Sequence, residues 1–258
     1  ASASTPRNWI SSGSDTQEND MKVLDIRKDG LEDIGKQGIG EVTITGCLGE
    51  RYIGCGMKDG VLHVVGTPGN ALASYLDGGT VYVDGNAQDA AADTMNAGLL
   101  AVKGSAGDAL AYGMRGGRVY ILGDAGYRAG VHMKAYEEKK SILVIGGRSG
   151  SFLGEYLAGG IIIVLGLGYE GRNITGYFCG NGMYAGTIYL RTDKTPPNLS
   201  DKLIRRSVDK KEKEDILRPI ISDFASAFSI PAEKCLEGSF IAIEADKSKS
   251  YSQLYAAV

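Results

Sequence analysis

Apolar residues recur two apart along this chain in short runs, and the runs return about every 20 residues, each closing on a glycine: Gly46, Gly66, Gly85, Gly104, Gly123, Gly146 and Gly166. The successive gaps are 20, 19, 19, 19, 23 and 20. Four positions before each glycine stand Val42, Leu62, Val81, Leu100, Val119, Ile142 and Ile162, and two positions before it stand Ile44, Val64, Val83, Val102, Ile121, Val144 and Val164. Ile188 and Leu190 fit the same two slots ahead of Thr192. Residues two apart on a strand share a face, so these slots form one apolar wall. A second marker, Met or Leu, recurs at Met57, Leu76, Met95, Met114, Met133, Leu157 and Met183, often just before a Gly-Gly turn such as Gly78-Gly79 or Gly116-Gly117.

One coil of this length cannot bury its own apolar face, but stacked coils can, each strand pairing in parallel with its equivalent in the next. The pattern therefore predicts an all-β fold: a right-handed parallel β-helix, a solenoid of ~20-residue coils. Small residues at Ala71/Ala73, Ala90/Ala92 and Ala109/Ala111 mark a corner where coils approach closely. An antiparallel β-sandwich would show strands every ~8–12 residues with hairpin turns. No Asn-Gly or Asp-Gly turn repeats in register.

The outward slots change character along the chain. Thr43, Thr45, Asp84 and Lys103 suit solvent, whereas Tyr82, Tyr120 and Tyr189 are aromatic. In the later coils the glycine alignment places Leu143, Ile145, Ile163 and Leu165 outward. Strands apolar on both faces are covered on both faces, so this outer wall is expected to meet either the C-terminal segment or another protein. These four residues are the candidate partner interface.

Lys134–Ser141 and Tyr169–Phe178 interrupt the period and are expected to be loops. After Thr192 the glycines nearly stop. Asp209–Phe228 carries Leu217, Ile220, Ile221, Phe224 and Phe228 on one helical face, with Pro219 expected to kink the helix or start a second piece. Ser239–Glu244 reads as a short strand. The domain reading is a flexible tail and lead-in over 1–38, the β-helix over 39–192, and a helical capping segment over 193–258. Lys22–Asp33 is assigned no element.

Composition narrows the function. Glycine, 38 of 258 residues, is about twice its usual share of ~7%, in keeping with many turns. A net charge of −3 with no long basic run lacks the footprint of a nucleic-acid binder. No run approaches the ~20 apolar residues of a membrane span. Cys47, Cys55, Cys179 and Cys235 form no C-x-x-C pair, so metal or cluster ligation has no spacing to support it, and free thiols in a reducing cytoplasm are expected. Ala1–Asp20 is polar and Ser-rich, unlike a secretory signal.

Candidate chemistry is scarce. Gly166-Leu167-Gly168-Tyr169-Glu170-Gly171 matches G-x-G-x-x-G after a strand, but no helical period follows to hold a pyrophosphate. His63 and His132 are too isolated for a catalytic triad. Asp89, Asp93 and Asp108 cluster near one edge of adjacent coils, an arrangement compatible with a polysaccharide-acting β-helix. Turn aspartates more often accept backbone hydrogen bonds, and that structural role is the favoured reading. No catalytic, cofactor-binding or metal-ligating residue is assigned.

The runs G-N-A-Q-D-A-A-A-D-T-M-N-A-G (85–98), G-S-A-G-D-A-L-A-Y-G-M-R-G-G (104–117), G-Y-R-A-G-V-H-M-K-A-Y-E (126–137) and F-L-G-E-Y-L-A-G-G-I-I-I-V-L-G-L (152–167) resemble the C-terminal GXGXG domain of the glutamate synthase large subunit. The ending Y-S-Q-L-Y (251–255) is similar to stand-alone versions of that domain. Ala92, where the family commonly has glycine, and Leu157, where it often has Met, are mild departures. The resemblance implies a non-catalytic scaffold that positions two partners. One is a glutaminase-type amidotransferase subunit that releases ammonia. The other is an FMN and iron–sulfur synthase subunit that uses the ammonia to aminate 2-oxoglutarate. Equivalent subunits of N-methylglutamate synthase and formylmethanofuran dehydrogenase are similar. A free-standing structural module is the remaining alternative.

Overall fold

The computed structural model describes residues 22–26, 40–135 and 139–248. The N-terminal tail and the Y-S-Q-L-Y ending lie outside the described residues. Nine strands stack in parallel in chain order: β1 (Lys22–Asp25), β2 (Glu41–Leu48), β3 (Val61–Thr67), β4 (Asp77–Asp84), β5 (Ala97–Val102), β6 (Gly117–Ile121), β7 (Ser141–Ile145), β8 (Ala158–Val164) and β9 (Ala185–Leu190). The result is a parallel β-solenoid of about seven turns, as the repeat requires. β1 pairs with β2 from Lys22↔Val42 to Asp25↔Thr45, so the sheet begins ahead of residue 39.

The register refines the repeat. In β2 a bulge between Ile44 and Cys47 makes Cys47, not Gly46, the partner of Gly66. In β7, Leu143 pairs with Val119 and Ile145 with Ile121. Gly147 then donates its N–H to Gly123 and accepts from Gly166, both at 2.9 Å. The closing glycine of that coil is therefore Gly147 rather than Gly146. With Cys47 and Gly147 in the slots, the spacing is 19 throughout except 24 across the Lys134–Ser141 insertion; beyond Gly166, hydrogen-bonded coil partners lie 26 apart.

Opposite the sheet there are no continuous strands. Each coil instead turns through alternate residues of positive φ, as in Ala71/Ala73/Tyr75, Ala90/Ala92/Thr94, Arg128/Gly130/His132 and Phe152/Gly154/Tyr156. Their N–H groups point alternately to the coils on either side: Ala71 donates to Asp89 O, Ala73 to Ile53 O and Tyr75 to Asp93 O. The turn wall is thus hydrogen-bonded along the axis as fully as the strand wall. The middle residue of each triple faces the interior. Ala73, Ala92 and Ala111 are buried there, and a Cβ at Gly154 would lie 2.7 Å from Ile188 Cδ1. Gly85 has ordinary φ but a different constraint, since a Cβ would lie 2.0 Å from the Gly66 carbonyl oxygen of the preceding coil.

The interior is packed with the predicted aliphatics other than Ile142 and Val144, whose places Leu143 and Ile145 take, and with Leu76, Met95, Met114, Met133 and Leu157. The sheet does not stop at Thr192. β11 (Ile241–Ala245) pairs antiparallel with β9, and β10 (Leu203–Ser207) pairs antiparallel with β11. Between these strands lies the helical segment. α1 (Lys210–Glu212), capped by Asp209, runs through a π-helical turn (Lys213–Leu217) into α2 (Arg218–Ala227), and α3 (Ala232–Leu236) follows. As expected, a second helical piece starts at Arg218-Pro219. The proline sits in the first turn of α2, directly after the π turn, where its missing N–H is accommodated.

Candidate functional site

The predicted partner interface is not a surface. Leu143 and Ile145 point into the solenoid interior, because the alignment on Gly146 is one residue out of register and a one-residue slip exchanges the two faces of a strand. Ile142 and Val144 face outward in their place. Ile163 and Leu165 do face outward, yet both are fully buried beneath the chain's own C-terminal segment. There they join Tyr120, Val144 and Tyr189 of the sheet with Leu217, Ile221, Phe224 and Phe228 of the helices, the apolar face read from the sequence. None of the four is available to a partner.

Polar anchors hold this helical strap on the sheet. Tyr120 donates its hydroxyl to Asp223 at 2.7 Å, and Arg118 pairs with the same carboxylate. Burial, and then the Asp223 carboxylate, push the Tyr120 phenol well above its ordinary value. Tyr189 donates to Glu212 at 2.8 Å, and Arg206 bridges Glu212 and Glu244. Hydrogen bonds from Arg206 hold both carboxyls below the usual glutamate range.

The aspartates form a ladder that ties coils together. Asp89 Oδ1 accepts the N–H of Asp108 at 2.9 Å, and Asp108 Oδ1 accepts that of Tyr127 at 2.8 Å. A parallel row runs from Asn86 to the Ser105 N–H, from the Ser105 hydroxyl to the Asp124 N–H, and from Asp124 to the Arg148 N–H. Each side chain thus reaches one coil forward, which is the structural role favoured from the sequence. Asp93 accepts from Thr94 within its own turn.

The G-x-G-x-x-G segment leads into a loop, not a helix. With Arg191, Lys194 and residues 237–239 it lines a cleft of about 230 Å³. Its cations are committed. Arg191 donates to the carbonyls of Leu165, Lys234 and Glu237, and Lys194 to that of Gly171. Glu170 accepts from the Gly168 N–H, and the loop's backbone N–H groups, with Arg191 and Lys234 behind them, lower its carboxyl. The cleft is a junction between the last coils and the strap.

His63 meets Glu41 at 3.1 Å and stacks on Tyr82, while His132 stacks on Tyr156 against Tyr112. The two histidines share no site. Among the described residues no group of His, Cys, Asp and Glu has metal-site geometry, and no helix is long and apolar enough to cross a membrane.

The turn wall carries a feature that repeat-hunting missed. Tyr75, Tyr112, Tyr127, Tyr156, Tyr177 and Phe178 are all exposed along it. They fall at different positions within their coils, Tyr75 and Tyr156 in one row, Tyr112 in another and Tyr127 and Tyr177 in a third, so no repeat marks them.

The GXGXG motif family matches residues 37–246, spanning the solenoid and the strap together. An uncharacterized protein of Methanocaldococcus jannaschii, MJ1350, is 40% identical over 227 residues, covering 84% of this chain and 86% of the relative. The continuous match and the observed solenoid agree, and the chain belongs to the GXGXG motif family, of the type found at the C-terminus of the large subunit of glutamate synthase.

Proposed function

We propose that the chain is the non-catalytic scaffold subunit of a glutamate synthase-type complex in the cytoplasm. It positions a glutaminase-type amidotransferase subunit and an FMN/iron–sulfur synthase subunit so that ammonia released by one reaches 2-oxoglutarate on the other. The carrying observation is that the family match runs unbroken over the solenoid from β2 onward and over its strap. Two further features support it. The interior is filled by aliphatic side chains, which suits a rigid spacer. Two of the three candidate carboxylates, Asp89 and Asp108, accept from the backbone of the next coil.

The test is reconstitution with the glutaminase-type and FMN/iron–sulfur chains of the same genome. Glutamine-dependent amination of 2-oxoglutarate is followed with and without this chain. The expected result is coupled activity only when all three are present. Full coupling in its absence, or no stable complex in its presence, rejects the proposal.

A further inference from the structure

The sheet wall is covered by the strap, but among the described residues the turn wall of the later coils is open, and arginines predominate in its exposed charge. Arg128 and Arg148 are 61% and 57% exposed at their side chains. Arg172 is exposed on the loop that follows, at the edge of the cleft, where it donates to the Gly168 carbonyl at 3.1 Å. The neighbouring carboxylates are turned to protein. Asp124 spends one oxygen on the Arg148 N–H and the other on the Tyr169 hydroxyl, 2.7 Å away, and that second oxygen also lies 3.8 Å from the Arg148 guanidinium. Glu155, whose side chain is only 12% exposed, lies between Arg128 and Asn181. Glu170, the exposed carboxylate of the loop, lies 3.7 Å from Arg191 at the cleft.

The guanidinium groups are held in place by aromatic rings. Arg128 sits over Phe152 at 5.4 Å, and Arg148 and Arg172 both lie against Tyr169, at 5.0 and 5.1 Å. Phe152 stacks in turn on Phe178, at 5.2 Å, with Tyr177 beside it. Coil-to-coil bonds from Arg128 N–H to Ser151 O and from Phe152 N–H to Tyr177 O keep these residues in adjacent rows. Fixed arginines among exposed tyrosines have the composition of a protein-binding hot spot. The chain as a whole carries a net charge of −3, so this basic patch runs against its average.

Resting on the scaffold reading above, we infer that Arg128, Arg148 and Arg172, with Tyr127, Tyr177 and Phe178, form the docking surface for an acidic face of a partner protein. The partner's chemistry is selected by charge complementarity: carboxylates meet the preset guanidinium groups while the ring edges fill apolar contacts around them. A single-stranded nucleic acid fits less well, because it stacks its bases on free ring faces and Phe152 and Tyr169 already have cations or rings against theirs.

The test compares the full-length chain with an Arg128→Gln/Arg148→Gln/Arg172→Gln variant. Binding to the purified glutaminase-type and FMN/iron–sulfur chains is measured at low and high salt, with circular dichroism as the folding control. The expected result is salt-sensitive wild-type binding to one of the two chains and a loss of about tenfold or more in the variant. Wild-type binding equal to the variant's, or insensitive to salt, overturns the docking surface and leaves the scaffold reading intact. No wild-type binding to either chain removes the scaffold reading, and this inference with it. Selective loss of heparin retention in the variant, with unchanged affinity for both chains, reassigns the patch to a polyanion and overturns the inference.

Discussion

The two outer walls of this solenoid face the same problem and meet it differently. On the strand wall the outward residues are Tyr120, Val144, Ile163, Leu165 and Tyr189, and the chain folds its own helices over them. On the turn wall the outward residues are tyrosines, Phe178 and arginines, and the described residues leave them uncovered. A flat parallel sheet offers a continuous apolar surface that a helix with one apolar face can cover. The turn wall, built from residues of alternating positive φ, offers ring edges and charges, which suit a wetter contact. One wall is core, and the other is exposed among the described residues.

The strongest way to break this comparison is to charge the covered wall. Ile163→Glu places a carboxylate under the strap, at an expected loss of about 4 kcal/mol or more. Of the three buried cysteines, Cys235 lies under the strap while Cys179 and Cys47 lie in the solenoid interior, so Cys235 and Cys179 report on the two cores separately. Burial alone raises the Cys179 thiol to about 12, so it stays inert while folded. In Ile163→Glu, Cys235 is expected to react with a thiol reagent while Cys179 remains protected. Equal reactivity of both would show one core rather than two.

The next largest effect lies on the turn wall. Gly154→Val combines left-handed strain at φ +63 with a clash against Ile188, an expected loss of about 3 kcal/mol read from the urea midpoint. Tyr120→Phe removes the hydroxyl that anchors α2 through Asp223 and is expected to lose about 1 kcal/mol, with faster hydrogen exchange confined to the strap. Asp108→Ala, at the exposed ladder, is expected to lose about 1 kcal/mol or less and to speed exchange at the Tyr127 amide.

The smallest effect is in acid. Glu212 and Glu244 titrate below the ordinary glutamate value of 4.5 when folded, so what they add is complete above that pH and lost as pH falls through their folded values. Solvent screening keeps each below about 1 kcal/mol. Arg206→Met is expected to flatten this acid slope, measured by denaturation across the range. An unchanged slope would remove Arg206 as its cause.

The repeat was legible because every coil obeys the same packing rule. Aliphatic slots two apart, Met or Leu before the turn and glycine at the close carried the fold, the interior and the positions of both insertions. The helix with Leu217, Ile221, Phe224 and Phe228 on one face was equally plain. Misreadings came where a glycine stood one place from its structural slot. At Gly46 a bulge absorbs the extra residue, and at Gly146 a Gly-Gly pair offered two alignments. The second choice reversed β7 and turned Leu143 and Ile145 outward on paper. The candidate surface was less legible, since Arg128, Arg148 and Arg172 share no spacing and are ordered by rings, Phe152 under Arg128 and Tyr169 against both Arg148 and Arg172, that lie far along the chain from Arg128 and Arg148.

The sequence by itself determined that this chain stacks into a parallel solenoid, because a short coil with one apolar face has no other way to bury it. It also marked an outer wall that had to be covered. Only the tertiary structure decided what covers it. Whether an amphipathic helix folds back on its own sheet or meets another chain depends on where β10 and β11 place it. It depends equally on the anchors Tyr120–Asp223 and Tyr189–Glu212, which pair residues far apart along the chain. That closure leaves the turn wall as the one exposed among the described residues.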